Sequence, residues 1–362
     1  MKGSQPSRDN ELPDYSIQEA QDQFITRNEP SWNGETARTY RKSLNTFCKY
    51  TTQENIRHLS DLNRWNVGQY TNYLLKTDYA RATIQSKQKQ ARRWIKWLES
   101  QGLVEVGLHL AINPITLDDE EQTSSDILPP NQLEQYLSFY RNSAKWRGTR
   151  RHALIEVIGH TGARRSGIRA LDITDWNSED RTLKLLNREK QGTRIKNGDI
   201  HERKVVISQA PAEALQMYID RERYQKHDNQ GREPIFTSRQ GRPTKSTMTN
   251  WLYQATLPCV MKECPHGKER RNCKWTEQTD SSKCPSSESP HPVRRGSITW
   301  QLNIGRDPRD VAARAGTTVE VLKRYYDKPD LDAELRRRIT EFDEIDICKH
   351  SDPSDVNKDL EQ

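Results

Sequence analysis

The chain is poor in apolar residues, which make up 32% of its 362 positions, with only five phenylalanines and four methionines. No run approaches the roughly eighteen consecutive apolar residues that cross a bilayer, which excludes a helical membrane span. The opening stretch MKGSQPSRDNELPDY contains no apolar signal region, so a cytoplasmic protein is expected. Thiols stay reduced in such a compartment, and six cysteines therefore predict free thiols or metal ligands, not disulfides. An overwhelming charge of either sign is also missing. Lys and Arg number 58 against 51 Asp and Glu, a net +7, which alone is too modest to identify a polyanionic partner. More telling is local clustering, in KWRGTRRH (Lys145–His152) and KERRNCK (Lys268–Lys274).

The length allows two domains, each with its own core. Residues 1–15 are polar and read as a disordered tail. Over 16–114 the pattern is helical. Tyr40, Leu44, Phe47 and Tyr50 recur at three- and four-residue spacing, as do Ile84, Ala91, Trp94, Ile95 and Leu98, with Gly102 as a stop. Lys87, Lys89, Arg92, Arg93 and Lys96 are expected on the remaining, solvated face. Residues 115–131 are acidic, then Ser-rich, then Pro-Pro, and read as an interdomain linker. A second domain over 132–345 begins with helix, Gly break and helix in RHALIEVIGHTGARRSGIRALDITDW. RTLKLLNREKQG and ERKVVISQAP follow as a small antiparallel hairpin. Helix returns in APAEALQMYIDRERYQ and again from Ser297 to about Phe342, before a polar tail over 346–362. The expected fold is mainly α: a helical N-terminal domain and a mostly α second domain with a small β-hairpin.

Breaking a phosphodiester without a catalytic metal needs four pieces. These are a nucleophile, positive charge on the non-bridging oxygens, a general acid for the leaving 5′ oxygen, and a donor or base at the phosphate. Arginine suits the second role because its planar fork binds phosphate bidentately and stays charged. Lysine suits the third. The order Arg164, Lys190, His291-x-x-Arg294, Tyr326 supplies all of them. Singly, each reads as an ordinary surface or packing residue, and Arg165, Arg295 and Tyr325 sit beside the candidates.

In that order the residues resemble the tyrosine recombinase (phage integrase) family. TGARRSGIRAL resembles the first-arginine motif on Arg164, HPVRRG the His-x-x-Arg motif on His291 and Arg294, and AGTTVEVLKRYYD the nucleophile region on Tyr326. The family's hairpin lysine falls best on Lys190 in EKQG, with Lys196 as the poorer candidate. The resemblance implies a helical core-binding domain ahead of a catalytic domain, double-stranded DNA as partner, and a homotetramer on paired sites. It also implies a covalent 3′-phosphotyrosine formed without catalytic cofactor. Two departures stand out. Thr317 occupies the place of the second histidine or tryptophan, and Gly167 that of an acidic residue often found three after the first arginine. Helix, short Gly turn and helix over DPRDVAARAGTTVEVLKRYY also suits a catalytically inactive DNA-binding regulator. That alternative leaves His291, Arg294, Arg164 and the lysine unexplained.

Between hairpin and His291 lies Cys259-x4-Cys264-x8-Cys273-x10-Cys284, with His266 inside. In a reduced compartment this spacing predicts a structural zinc site stapling an insert over 259–284, with His266 able to replace Cys259.

Overall fold

The computed structural model describes residues 14–118, 121 and 126–326. The expected tail over 346–362, and the helix beyond 326, lie outside them, as does all but the end of the N-terminal tail. The chain divides into two compact units, Met1–Ser125 and Asp126–Gln362.

The first unit holds α1 (Ile17–Asn28), α2 (Gly34–Gln53), α3 (Arg64–Leu75) and α4 (Arg81–Ser100). Side chains that accept backbone N–H groups fix three of the starts: Ser16 in a capping box with Glu19, Asn33 onto Thr36, and Asn63 onto Asn66. The apolar stripes meet in one core, where Phe47 touches Tyr70 and Trp94 edge-on at ring separations of 4.8 and 5.4 Å. Lys87 departs from the expected solvated face. It is 4% exposed, and its Nζ donates to Thr46 Oγ1 at 2.7 Å and lies 4.8 Å over the Tyr79 ring.

The second unit is built round α6 (Arg150–Thr161), whose residues are buried on nearly every side. Against it pack α5 (Pro130–Asn142), α8 (Gln209–Arg221), α9 (Lys245–Ala255) and α10 (Pro290–Asn303). One charge inside α6 is fully buried. Burial alone would raise Glu156, but hydrogen bonds from His152, His160 and Arg141 hold its carboxyl far below the usual range. The short α7 (Arg165–Ala170) follows Gly162, which caps α6 at φ 58. The hairpin is there with an additional strand. β1 (Trp176–Asn177), β2 (Thr182–Leu185) and β3 (Arg203–Val206) form an antiparallel sheet in that order, with Leu183 opposite Val205.

The chain ends its described course in α11 (Pro308–Ala315) and α12 (Val319–Tyr325). Asp307 caps the first, Gly316 closes it at φ 65, and Thr318 caps the second by accepting from Val321 N–H. A separate apolar cluster of Ile298, Leu302, Val311, Ala312, Ala315, Leu322 and Tyr326 ties both to α10. This cluster fixes where Tyr326 stands.

Candidate active site

His291 and Arg294 lie inside α10, not ahead of it. Pro290 occupies its first turn, where a missing N–H costs nothing. Arg294 therefore points from a rigid helix into the interior and is 1% exposed. Its Nη1 donates to the carbonyls of Gly162 and Ala315, the latter at 2.7 Å, and its Nε to the Tyr326 hydroxyl at 3.3 Å. Its Nη2 is buried without a partner. Arg164, on the turn between α6 and α7, donates from Nη1 to the Gly316 carbonyl. Two arginines thus read one strip of backbone, Ala315–Gly316, just ahead of the tyrosine helix.

The neighbours that the sequence left as alternatives have partners of their own. Arg165 donates to Thr249 Oγ1 on α9. Arg295 donates to the Tyr325 carbonyl at 2.7 Å and so clasps the end of α12. Tyr326 is 8% exposed, with its hydroxyl at Arg294 and its ring centroid 6.2 Å from that of His291. Tyr325 is half-buried, with the Arg324 guanidinium 5.4 Å from its ring. Thr317 is buried, and its Oγ1 has no hydrogen-bond partner.

The two lysines separate. Lys190 sits exposed on a 3-10 turn (Glu189–Gln191) beyond the end of β2. Lys196 instead lines a hollow with Arg164, Ser166, Gly167, Ile195, His201, Arg203 and Ala315. The structure brings together Arg164, His291, Arg294, Thr317 and Tyr326, with Lys196 beside them in place of Lys190. Arg203 and His201 were not anticipated. They enter from the start of β3 and the turn before it, and only the β2–β3 register carries them there.

Positive charge is concentrated here. Among the described residues no carboxylate lies within ion-pair distance of Arg164, Arg203 or Arg294. Burial and the neighbouring Arg294 lower Arg164 to about 10; burial, Arg294, Arg164 and Arg314 lower Arg203 to about 10. All remain cationic at neutral pH. His291 is pulled down to about 4 by its packed surroundings and by Arg294, Arg295, Arg164 and Lys196. The residue is exposed, so solvent screens part of that effect, but the direction leaves the imidazole neutral at pH 7. Cations crowded without counter-charge, beside an orphaned buried N–H and a hydroxyl, form a place for a phosphate.

Cys259, Cys264, Cys273 and Cys284 are all unpaired thiols. Among the described residues no group of three or more His, Cys, Asp or Glu is arranged to hold a metal ion. Cys284 belongs to the main apolar core, Cys259 packs against it, and His266 Nε2 is 3.0 Å from Ser286 Oγ. The four-thiolate zinc centre is therefore not found assembled.

The sequence profile of the Phage integrase family matches residues 126–330, and that of the phage integrase N-terminal SAM-like domain matches residues 29–102. Tyrosine recombinase XerC of Herpetosiphon aurantiacus is 23% identical over 287 residues, covering 78% of this chain and 81% of that protein. XerC of Roseiflexus sp. (strain RS-1) is 25% identical over 193 residues, 52% of this chain, which spans only 56% of that relative. Among solved structures, the Tn1549 transposon integrase in complex with a circular intermediate DNA superposes with TM-score 0.63 at 14% identity, covering 91% of this chain and 99% of that one. A lambda integrase tetramer bound to a Holliday junction gives 0.60 at 12% identity, covering 89% and 82%. At these identities the structural likeness speaks for the fold.

Proposed function

Because the chain belongs to the phage integrase family of site-specific DNA recombinases, we infer that it cleaves and rejoins double-stranded DNA through Tyr326. The observation that carries this reading is the Tyr326 hydroxyl held at Arg294 Nε, 3.3 Å away, with Arg164 on the adjoining backbone. Arg164 and Arg294 would hold the scissile phosphate and stabilise the charge that builds on its oxygens. Tyr326 Oη would attack phosphorus, forming the 3′-phosphotyrosine as the bond to the 5′ oxygen breaks. A lysine would protonate that oxygen, and the hollow favours Lys196 for this over Lys190. Neutral His291 is suited to accept the tyrosine proton or to donate to the phosphate, and Thr317 Oγ1 is an uncommitted second donor. Bond energy is kept in the phosphotyrosine, so rejoining needs no nucleotide cofactor.

The unit over 16–114 is proposed as the core-binding domain, 115–131 as the linker and 132–345 as the catalytic domain. A homotetramer on paired sites is proposed from the lambda integrase tetramer, and a cytoplasmic location from the chemistry on DNA. The test is a nicked suicide substrate. Wild-type protein is expected to trap a covalent adduct, Tyr326→Phe to abolish it with DNA affinity changed only a few-fold, and Tyr325→Phe to retain it. A wild type that binds DNA without any adduct would establish the inactive regulator instead.

A structural zinc at Cys259, Cys264, Cys273 and Cys284 is a separate proposal. It rests on four unpaired thiols lying near enough that Cys264 and Cys273 act electrostatically on both Cys259 and Cys284. Purified protein should then carry about one zinc per chain, and Cys264→Ser should lose metal and thermal stability together. Metal-free protein with an unchanged melting temperature refutes it.

A further inference from the structure

We propose that His201, on the turn before β3, supplies the second imidazole of the site and donates a hydrogen bond to the scissile phosphate from Nδ1. The inference rests on the recombinase reading above. The family places its second histidine where this chain has the methyl and hydroxyl of Thr317, yet an imidazole is present in the hollow from another element. His201 lines it with Arg164, Lys196 and Arg203. The turn Gly198–His201 is entered through Asn197, whose backbone is left-handed at φ 68. That turn brings Asn197 Nδ2 within 2.8 Å of His201 Nε2. With the amide nitrogen facing the ring it donates and Nε2 accepts, which assigns the ring proton to Nδ1 and leaves Nδ1–H to serve as a donor.

The anchoring is two-sided. The His201 carbonyl accepts from Arg203 Nη1 at 2.9 Å, while Arg203 Nε donates to the Arg314 carbonyl at 2.7 Å. The turn is thereby fastened to the end of α11, one residue before the Ala315–Gly316 backbone that Arg294 and Arg164 read. Gly167 contributes to the same lining without a side chain. The titratable side chains of the lining are Arg164, Lys196, Arg203 and His201, with no carboxylate among them. Such a lining selects an anion with several acceptor oxygens, and a phosphodiester meets it. Burial and the charges of Arg164, Arg203, Arg294 and Lys196 lower the proton affinity of His201, which keeps it a neutral donor before DNA arrives.

The experiment is single-turnover cleavage of pre-bound suicide substrate by full-length His201→Ala and His201→Asn, with DNA affinity and melting temperature measured on both. His201→Ala is expected to cleave about a hundredfold more slowly, the low side of what losing one transition-state donor costs. Affinity should stay within a few-fold and melting temperature should be unchanged. His201→Asn, whose amide nitrogen takes the place of Nδ1, is expected to recover much of the loss. An unaffected His201→Ala rate overturns the proposal. So does a rate loss matched by lost affinity or lost melting temperature, or one that asparagine does not relieve, because the turn would then be only structural. A wild type that forms no adduct sinks the recombinase reading, and this inference with it, whereas a normal wild type with an indifferent His201 sinks the inference alone.

Discussion

Arg294 is almost wholly inside the protein, and still one of its nitrogens has no partner. Leaving a buried charged donor unmet is costly, and a ligand that arrives with oxygens removes the cost. Arg294→Lys keeps the charge but not the fork, and Arg164→Ala removes a group that is only half-buried. Both should slow cleavage of bound DNA by about a hundredfold or more, while binding changes little. Full rescue by added protein would reduce them to binding residues. His291 makes a second prediction at this scale. Its folded-state proton affinity is depressed from 6.5 to about 4, so on acidification the unfolded chain takes the proton first. The stability it contributes is present above about pH 6.5 and is lost as pH falls from there through about 4. His291→Gln should lose less stability than wild type between pH 7 and pH 5, a window mostly above carboxylate titration. Equal losses by denaturant unfolding would refute it. At this scale Arg164, His291, Arg294 and Tyr326 were legible as an ordered set that resembles the family's motifs, since singly each reads as a surface or packing residue. Between the two candidate lysines, Lys190 and Lys196, the sequence could not decide, because they are six positions apart on one loop and only the fold of that loop sets Lys196 beside Arg164.

At the scale of elements, the turn between α11 and α12 is under the closest constraint. Gly316 has φ 65, and a Cβ there would come within 2.6 Å of Arg203 Nη1 and 2.8 Å of its Cζ. Gly316→Ala therefore combines left-handed strain, about 1 kcal/mol, with displacement of the guanidinium that fastens β3 to α11. It should lower the melting temperature by several degrees and slow cleavage more than it weakens binding. An unchanged cleavage rate in protein that is folded at the assay temperature would show that Arg203 is not coupled to the site. The turn itself could be read ahead of the structure, since Asp307, Pro308, Gly316 and Thr318 are local cap signals. So could the helical stripes of α2 and α4. Two features could not. The start of α10 at Pro290 was hidden because HPVRRG lacks an apolar period, and β1 was hidden because two residues carry no alternation. The burial of Lys87 belongs with these. A period marks the face, and the ammonium escapes it by reaching Thr46 on a neighbouring helix.

Over the whole molecule a net +7 is small, but its distribution separates two roles for charge. Lysines and arginines such as Lys89 on α4 are exposed and would meet DNA through solvent. Arg164, Arg203 and Arg294 are buried or half-buried and would act where bulk ions are held off. Binding should accordingly weaken steeply with salt, log K falling by about 0.9 per phosphate neutralised for each tenfold rise. The rate of cleavage of DNA already bound should respond far less, because pairs screened by protein are little affected by a Debye length near 10 Å at 0.1 M salt. The same rate should hold without added magnesium, since guanidinium and ammonium groups would already supply positive charge to the phosphate. Single-turnover reactions on pre-bound suicide substrate, run across a salt series with and without magnesium, check both at once. An absolute magnesium requirement would point to a metal-dependent nuclease. A cleavage rate that fell with salt as steeply as binding would place the reacting phosphate in open solvent, away from the buried arginines.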